Sequence, residues 1–183
     1  MNSSPKDNWA YKGKYIQICE SEVNGLIWEK AFFRGGVVVF PFNNKGELIL
    51  IREFRPHETP QLRLKPITGI FENHLNAEEN ALKEMNEEVG LGAKKTSLFL
   101  SIKNTGTVNS FQHFVAAWDL FEHKIPNPDG EDSIREILAI PFNQVLEELF
   151  NQNIPWGIST LGFFQLDHQL KMKKILIPGV NTP

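Results

Sequence analysis

Short apolar runs separated by turn residues dominate the first third of the chain. Residues 15–18 and 26–28 are apolar segments on either side of Asn24 and Gly25, a dipeptide that favours a tight hairpin turn. Residues 37–40 and 48–51 are more continuous apolar runs, and a polar turn sequence lies between them. The pattern therefore predicts two antiparallel hairpins, the second of which pairs strand 37–40 with strand 48–51.

A helical pattern covers residues 76–89. Asn76 is a suitable N-cap, Glu79 stands three residues later as in a capping box, and Gly90 stands where a left-handed C-cap is expected. Four apolar residues fall within one arc at 3.6 residues per turn and predict a face that packs against a core. They are Ala81, Leu82, Met85 and Val89.

The remaining segments predict one compact domain. Residues 1–12 form a loose polar arm, residues 52–65 are mostly loop, and strands lie near 97–102, 112–118 and 134–140. Residues 142–150 and 158–170 have helical patterns. With 183 residues, the chain is long enough for one core and short for two domains. We expect an α+β fold, an α/β/α sandwich, over residues 13–183.

Composition and charge exclude several classes of function. With 19 basic and 22 acidic residues the formal net charge is −3, so a nucleic-acid or anionic-membrane partner is not expected. Cys19 is the one cysteine, which excludes an internal disulfide and a cysteine-built zinc site. No segment approaches the ~20 apolar residues of a membrane span, and residues 1–12 lack a secretion signal. We expect a soluble, cytoplasmic protein.

Three carboxylates on the predicted helix are the candidate chemistry. Glu84, Glu87 and Glu88 stand at i, i+3 and i+4, which places them on one face beside the apolar arc. Like charges at this spacing repel unless a cation lies between them, and Mg²⁺ or Mn²⁺ prefers oxygen ligands of this kind. On spacing alone, a solvated acidic helix face is the alternative, because glutamate is a good helix former.

The context of these glutamates resembles the Nudix box. The segment from Gly69 to Leu91 matches its glycine, the Glu-aliphatic-any-Glu-Glu core and the closing Gly-aliphatic pair in register. Leu75 stands where the box has its first glutamate, and Lys83 where it has an arginine. The matching residues are Gly69, Glu84, Met85, Glu87, Glu88, Gly90 and Leu91. Over about residues 15–170 the chain is similar to the ADP-ribose pyrophosphatase branch of Nudix hydrolases.

The resemblance implies a role for particular residues. Glu84, Glu87 and Glu88 would bind Mg²⁺ or Mn²⁺ together with the backbone carbonyl of Thr68, and Glu87 and Lys83 would belong to the catalytic group. Glu131 would be a further metal ligand or the general base, with Asp132 as the alternative. On the substrate side, Arg55 would hold a phosphate or the terminal sugar. Trp28 would stack on the base, across a dimer interface formed by residues 13–34.

The implied activity is metal-dependent hydrolysis of the pyrophosphate bond of ADP-ribose or a related nucleoside diphosphate sugar. The products would be a nucleoside monophosphate and a sugar phosphate, and the protein would be a homodimer. Three departures, at Leu75, Lys83 and Lys65, bear on turnover, since Lys65 stands where this branch carries a glutamate. The alternative is a Nudix-like protein that binds a nucleotide sugar without cleaving it.

Overall fold

The computed structural model describes residues 8–123, 133–154 and 157–180. The chain forms its first seven strands before the first helix, and its last two helices follow the last strand. The elements are β1 (Asn8–Lys12), β2 (Ile16–Val23), β3 (Leu26–Phe33), β4 (Gly36–Pro41), β5 (Glu47–Phe54), β6 (Leu62–Lys65), β7 (Ile67–Ile70), α1 (Ala77–Val89), β8 (Leu91–Thr105), β9 (Val108–Glu122), β10 (Ile134–Pro141), α2 (Phe142–Phe150) and α3 (Ile158–Lys171).

The strands form two sheets. The larger is mixed and has the order β1-β2-β3-β9-β4-β7, with β8 also paired to β9. β9 runs parallel to β4 and antiparallel to β8, so its long span joins the N-terminal strands to the centre of the molecule. The smaller sheet has the order β10-β5-β6, antiparallel throughout.

The hydrophobic core has two layers, because the side chains of β4 point alternately to its two sides. Val38 and Phe40 point to one side, where the core includes residues of α2 and α3, whereas Val37 and Val39 point to the other, where α1 packs. Side chains alternate between faces along a strand, so an entirely apolar strand must be covered on both sides. The α+β class with helices on both sides of a mixed sheet is confirmed.

The first predicted hairpin is confirmed. β2 and β3 pair antiparallel from Ile16 with Phe33 to Val23 with Leu26. Asn24 and Gly25 form the two-residue turn with φ values of 55° and 75°. Positive φ at both positions suits asparagine and glycine, and this turn matches the twist of the flanking strands.

The second predicted hairpin is wrong. β4 pairs with β7 and β9, and β5 pairs with β10 and β6, so the two strands belong to different sheets. The turn between them closes locally, with an isolated bridge between Phe42 and Leu48 and a hydrogen bond of 3.0 Å from the Asn43 backbone N–H to the Glu47 carbonyl, but the two strands then diverge. Each strand is apolar on both faces and finds its partners far away in the chain, and the local turn therefore does not decide the pairing.

Two loop predictions also need correction. Part of the predicted loose arm, Asn8–Lys12, is β1, which pairs with the edge of β2. Its residues are exposed, so the hydrophobic pattern gives no sign of it, but pairing satisfies backbone groups at a sheet edge. Within the predicted loop 52–65, β5 continues to Phe54 and Leu62–Lys65 forms β6.

The two predicted C-terminal helices are confirmed as α2 and α3. None of the described helices has the length and apolar character of a bilayer span.

Candidate active site

The capping residues predicted for α1 are in place. The Oδ1 atom of Asn76 accepts from the Glu79 backbone at 2.9 Å, and Glu79 accepts from the Asn76 backbone at 2.8 Å. Gly90 ends the helix with φ 68°. Both ends of α1 are therefore defined by local sequence, which fixes the phase of the side chains along it.

Packing of α1 turns its glutamates toward a cleft. Ala81 and Met85 are buried against β4, β7 and β9, so the adjoining helix face is directed to the space between α1 and the smaller sheet. The cleft has a volume of about 1060 Å³ and carries both carboxylates and cations. Its lining consists of Lys14, Tyr15, Arg34, Glu53, Arg55, Thr68, Gly69, Ile70, Glu72, Lys83, Glu84, Glu87, Glu88, Ser133, Ile134, Arg135, Glu136 and Ile137.

Gly69 on β7 makes room for the first helix glutamate. A Cβ atom at this position would overlap the carboxyl group of Glu84. Position 69 therefore accepts glycine because of close approach, and its φ is not in the left-handed region. This close approach places Gly69 of β7 directly against the Glu84 carboxyl group of α1.

Glu88 lies in an environment that disfavours its charge. Burial raises the pKa of its carboxyl to about 8, although the Lys65 charge and a backbone hydrogen bond from Thr68 act in the opposite direction. Its Oε2 atom is buried and has no hydrogen-bond partner among the residues that the structure describes. A buried carboxylate oxygen without a partner is costly, and a bound cation would remove that cost.

Glu84 is perturbed in the same direction. Burial raises the pKa of Glu84 to about 7; the nearby Lys83 charge opposes this, while Glu87 and Glu72 add to it. Two neighbouring carboxyls with raised pKa values, in a cleft, are typical of a functional site. The solvated acidic face considered from the spacing alone does not describe Glu84 or Glu88.

Lys83 forms ion pairs with two carboxylates of the cleft, Glu87 and Glu72. Its Nζ atom is 2.8 Å from Glu87 Oε2 and 3.2 Å from Glu72 Oε1. Burial acts to lower the pKa of Lys83, but the hydrogen bonds to Glu87 and Glu72 outweigh it and the pKa is raised. Lys83 thus links the helix to the loop that follows β7, as a point charge without the planar fork of arginine.

A second cationic network crosses the smaller sheet. Glu53 Oε2 accepts from Lys65 Nζ at 2.6 Å and from Arg55 Nε at 2.9 Å. The pKa of Glu53 is lowered, because hydrogen bonds from Arg55 and Lys65 overcome its burial. Glu53 and Arg55 line the cleft, and the Lys65 side chain that contacts Glu53 is 16% exposed.

These groups fit a divalent cation in ligand type. Glu84 and Glu88 are half-buried oxygen donors, and the buried Oε2 atom of Glu88 lacks a partner among the described residues. However, the described residues contain no group of three potential ligands already arranged around one point. The carboxylates of Glu87 and Glu53 are held by lysines instead. Oxygen donors for a cation are therefore present, but Glu87 and Glu53 are paired with the lysines Lys83 and Lys65.

The structure brings together some of the predicted site residues. Thr68 and Arg55 line the same cleft as the helix glutamates and Lys83. Trp28 lies on β3, 58% exposed, and does not line this cleft in its own chain. Glu131 and Asp132 lie outside the described residues.

Three residues of the site region were missed by sequence reasoning. Glu53 and Glu72 carry the ion pairs to Lys65 and Lys83. Asn80 is fully buried on α1, accepts from the Glu72 backbone at 2.9 Å and donates to the Glu72 carbonyl at 3.2 Å. Asn80 stands four residues before Glu84, on the helix face of the glutamates, and the apolar pattern carries no signal for this anchor.

Comparison with known proteins identifies the family. The sequence matches the family model described as NUDIX domain over residues 32–157, which is more than half of the chain. The chain therefore belongs to the Nudix family and is a hydrolase by class. No curated protein sequence gives a significant match.

A solved structure supports the same fold. The structure described as "Crystal structure of ADP compounds hydrolase" superposes with a TM-score of 0.77 over 93% of this chain and 96% of that chain. The two sequences are 19% identical. At that identity the comparison establishes a shared fold.

Proposed function

We propose that this chain is a Mg²⁺- or Mn²⁺-dependent hydrolase of the pyrophosphate bond in ADP-ribose or a related nucleoside diphosphate sugar. The observation that carries the proposal is the placement of Glu84 and Glu88. Both are half-buried in the cleft, Glu84 against Gly69, and Glu88 has a buried oxygen without a partner among the described residues. The cleft also offers cations to an anionic substrate, among them Arg55 and Arg34.

In the proposed reaction the divalent cation and the side chains of the cleft have different roles. A bound divalent cation would neutralise the phosphates and activate water. Arg55, with its guanidinium in the cleft, would hold a phosphate or the terminal sugar, and its hydrogen bond to Glu53 fixes its direction. Lys83 would keep Glu87 and Glu72 in position. Glu131, or Asp132, would accept the proton of the attacking water.

Residues 13–34 would form a homodimer interface through which Trp28 reaches the partner's substrate. The supporting observation is the start of β3, where Leu26 and Trp28 on one face and Ile27 on the other are 61%, 58% and 70% exposed. Exposed apolar side chains grouped in this way are unusual on a monomer. Sedimentation should show a dimer that Ile27→Arg converts to monomer. Leu176→Arg, at a C-terminal residue that is 71% exposed, is the control and should leave the dimer intact.

The direct test is turnover of a substrate panel. ADP-ribose, ADP-glucose, GDP-mannose and dinucleoside polyphosphates would each be incubated with Mg²⁺, Mn²⁺ or chelator, followed by phosphatase and phosphate detection. ADP compounds come first because a protein of the same fold is described as an ADP compounds hydrolase. Glu88→Gln or Glu87→Gln should abolish metal-dependent release. An unchanged rate in both variants would remove the helix glutamates from the mechanism.

The alternative is a protein that binds a nucleotide sugar without cleaving it. Lys83 and Lys65 favour this alternative, because they pair with carboxylates that would otherwise be available to a metal. In the same panel, a ligand that raises the melting temperature but is never hydrolysed would establish the binding protein. Metal-dependent release from any nucleotide sugar would exclude it.

A further inference from the structure

Arg55 follows β5 directly and lies in the middle of a row of alternating charges. On one side, Glu53 Oε2 accepts from Arg55 Nε at 2.9 Å and from Lys65 Nζ at 2.6 Å. On the other side, Glu58 Oε1 lies 3.6 Å from Arg55 Nη1, and Glu58 Oε2 lies 3.0 Å from Arg63 Nε. Each of the two carboxylates therefore lies between two cations, and the Arg55 guanidinium is contacted from both sides.

Arg63 fastens the loop between β5 and β6. Its Nη2 atom donates to the Thr59 carbonyl at 2.8 Å and its Nε atom to the Pro60 carbonyl at 3.2 Å, in addition to the contact with the Glu58 carboxylate. This set of acceptors suits the planar fork of arginine, which has five donors, better than a lysine ammonium. The pairing of β6 with β5 places Arg63 opposite Glu53, so both lie on one face of the smaller sheet.

Glu58 and Arg63 act on the cleft from outside it. Arg55 lines the cleft and its side chain is 41% exposed, whereas Glu58 and Arg63 are described residues that do not line it. His57 lies 3.9 Å from Glu58 Oε1 but is 74% exposed, so it adds little to the row. An exposed arginine loses rotamer freedom when it binds a ligand, and contacts on both sides of its guanidinium restrict that freedom beforehand.

We propose that Arg63 is a positioning residue that holds the Arg55 guanidinium toward the cleft through Glu58. The inference rests on the proposed function for the contact of Arg55 with a phosphate or the terminal sugar. A guanidinium that is already oriented loses less freedom on binding, so the cleft binds its anionic ligand more tightly. The effect concerns substrate binding, and it should therefore change KM and leave kcat nearly constant.

The test is a double-mutant cycle between positions 63 and 55, measured on the nucleotide sugar of the panel that is cleaved fastest. Where Arg55 is present, Arg63→Met should raise KM about tenfold and leave kcat within about twofold. In the Arg55→Met background, Arg63→Met should change KM by less than about twofold, because the residue through which it acts is absent. An equal rise in both backgrounds, or a wild-type KM for Arg63→Met alone, would overturn the proposal.

Two further variants separate the guanidinium from its charge. Arg63→Lys keeps the charge, remains available should the methionine variant fail to fold, and should still raise KM at least about threefold, since an ammonium lacks the fork. A wild-type KM in Arg63→Lys would overturn the role of the fork. Lys95→Met removes a positive charge from β8, where Lys95 pairs with Asp119 at 2.9 Å, and should leave KM within about twofold of wild type. If Lys95→Met raises KM as much as Arg63→Met does, overall charge is the cause and the proposal fails.

A measurement without ligand separates this inference from the proposed hydrolysis. The order parameter of the Arg55 Nε–H bond, from nitrogen-15 relaxation with the signal assigned through Arg55→Lys, should fall in Arg63→Met and stay unchanged in Lys95→Met. If wild type hydrolyses a nucleotide sugar but Arg63→Met changes neither KM nor the order parameter, the role of Arg63 is wrong and the function stands. If wild type cleaves nothing in the panel while the order parameter falls in Arg63→Met, the positioning of Arg55 stands and the hydrolase proposal fails.

Discussion

Replacing Glu88 by glutamine tests the electrostatics of the cleft without any substrate. The folded protein raises the pKa of Glu88 to about 8 from an ordinary value of 4.5, chiefly by burial. The folded state therefore holds this proton more tightly than the unfolded chain does. The resulting stability is complete below about pH 4.5 and is lost as the pH rises through about 8.

The structure sets the size of the effect. The separation of the two pKa values corresponds to at most about 5 kcal/mol, and water entry and relaxation around the charge reduce it to about 1–3 kcal/mol. In a chain of this size that is roughly 2–10 °C in melting temperature. The Glu88→Gln variant keeps the shape and removes the charge, so at about pH 9 without metal it should melt above wild type.

The assay is a series of thermal melts in chelator between about pH 5 and about pH 9. We expect the two proteins to agree at low pH and to diverge as the pH rises. Glu84 contributes to the same titration, so the midpoint belongs to the pair of carboxyls. Glu147→Gln, at an exposed position of α2, is the control and should show no pH-dependent difference.

Adding Mn²⁺ at high pH should reverse the order. Wild type gains stability from the bound cation, because a ligand that binds only the folded state stabilises it, and Glu88→Gln gains less. If Glu88→Gln melts below wild type in chelator at about pH 9, the buried, unpartnered charge inferred for Glu88 is refuted.

Two further substitutions test the geometry of the site. Gly69→Ala adds a methyl group that overlaps Glu84, so turnover should fall on the order of 100-fold. Gly106→Ala, where nothing lies within 4 Å, should keep full activity, and equal rates in both variants would contradict the close approach. Asn80→Ala leaves the Glu72 backbone without its partners and should lower stability by about 1–3 kcal/mol in a denaturant titration, whereas a change below about 0.5 kcal/mol would show that the loop needs no such anchor.

Local chemistry along the chain determined the elements that were predicted correctly. The Asn24-Gly25 turn and the Asn76 and Gly90 caps depend on φ preferences and on hydrogen bonds within a few residues. The spacing of Glu84 and Glu88 on one helix face follows from the helical period alone. For these features the residues in question and their partners are neighbours in the sequence.

Tertiary structure decided the strand partners and the charge network. β4 and β5 are adjacent along the chain and lie in different sheets, because each is apolar on both faces and pairs with distant strands. β1 is a strand only because the edge of β2 accepts it. Lys65 meets Glu53 through the pairing of β6 with β5, so neither residue shows its partner in the sequence.

The sequence by itself therefore determined that Glu84, Glu87 and Glu88 share one face of α1, since the helix period and the caps act over short distances, and the resemblance to the Nudix box added Gly69. Only the tertiary structure decided their electrostatic state. Burial raises the pKa values of Glu84 and Glu88, and burial exists only once α1 has packed on the sheet. At Glu88 the charge that opposes this rise in pKa comes from Lys65, a residue of the distant strand β6, whereas at Glu84 it comes chiefly from Lys83, its neighbour in the sequence.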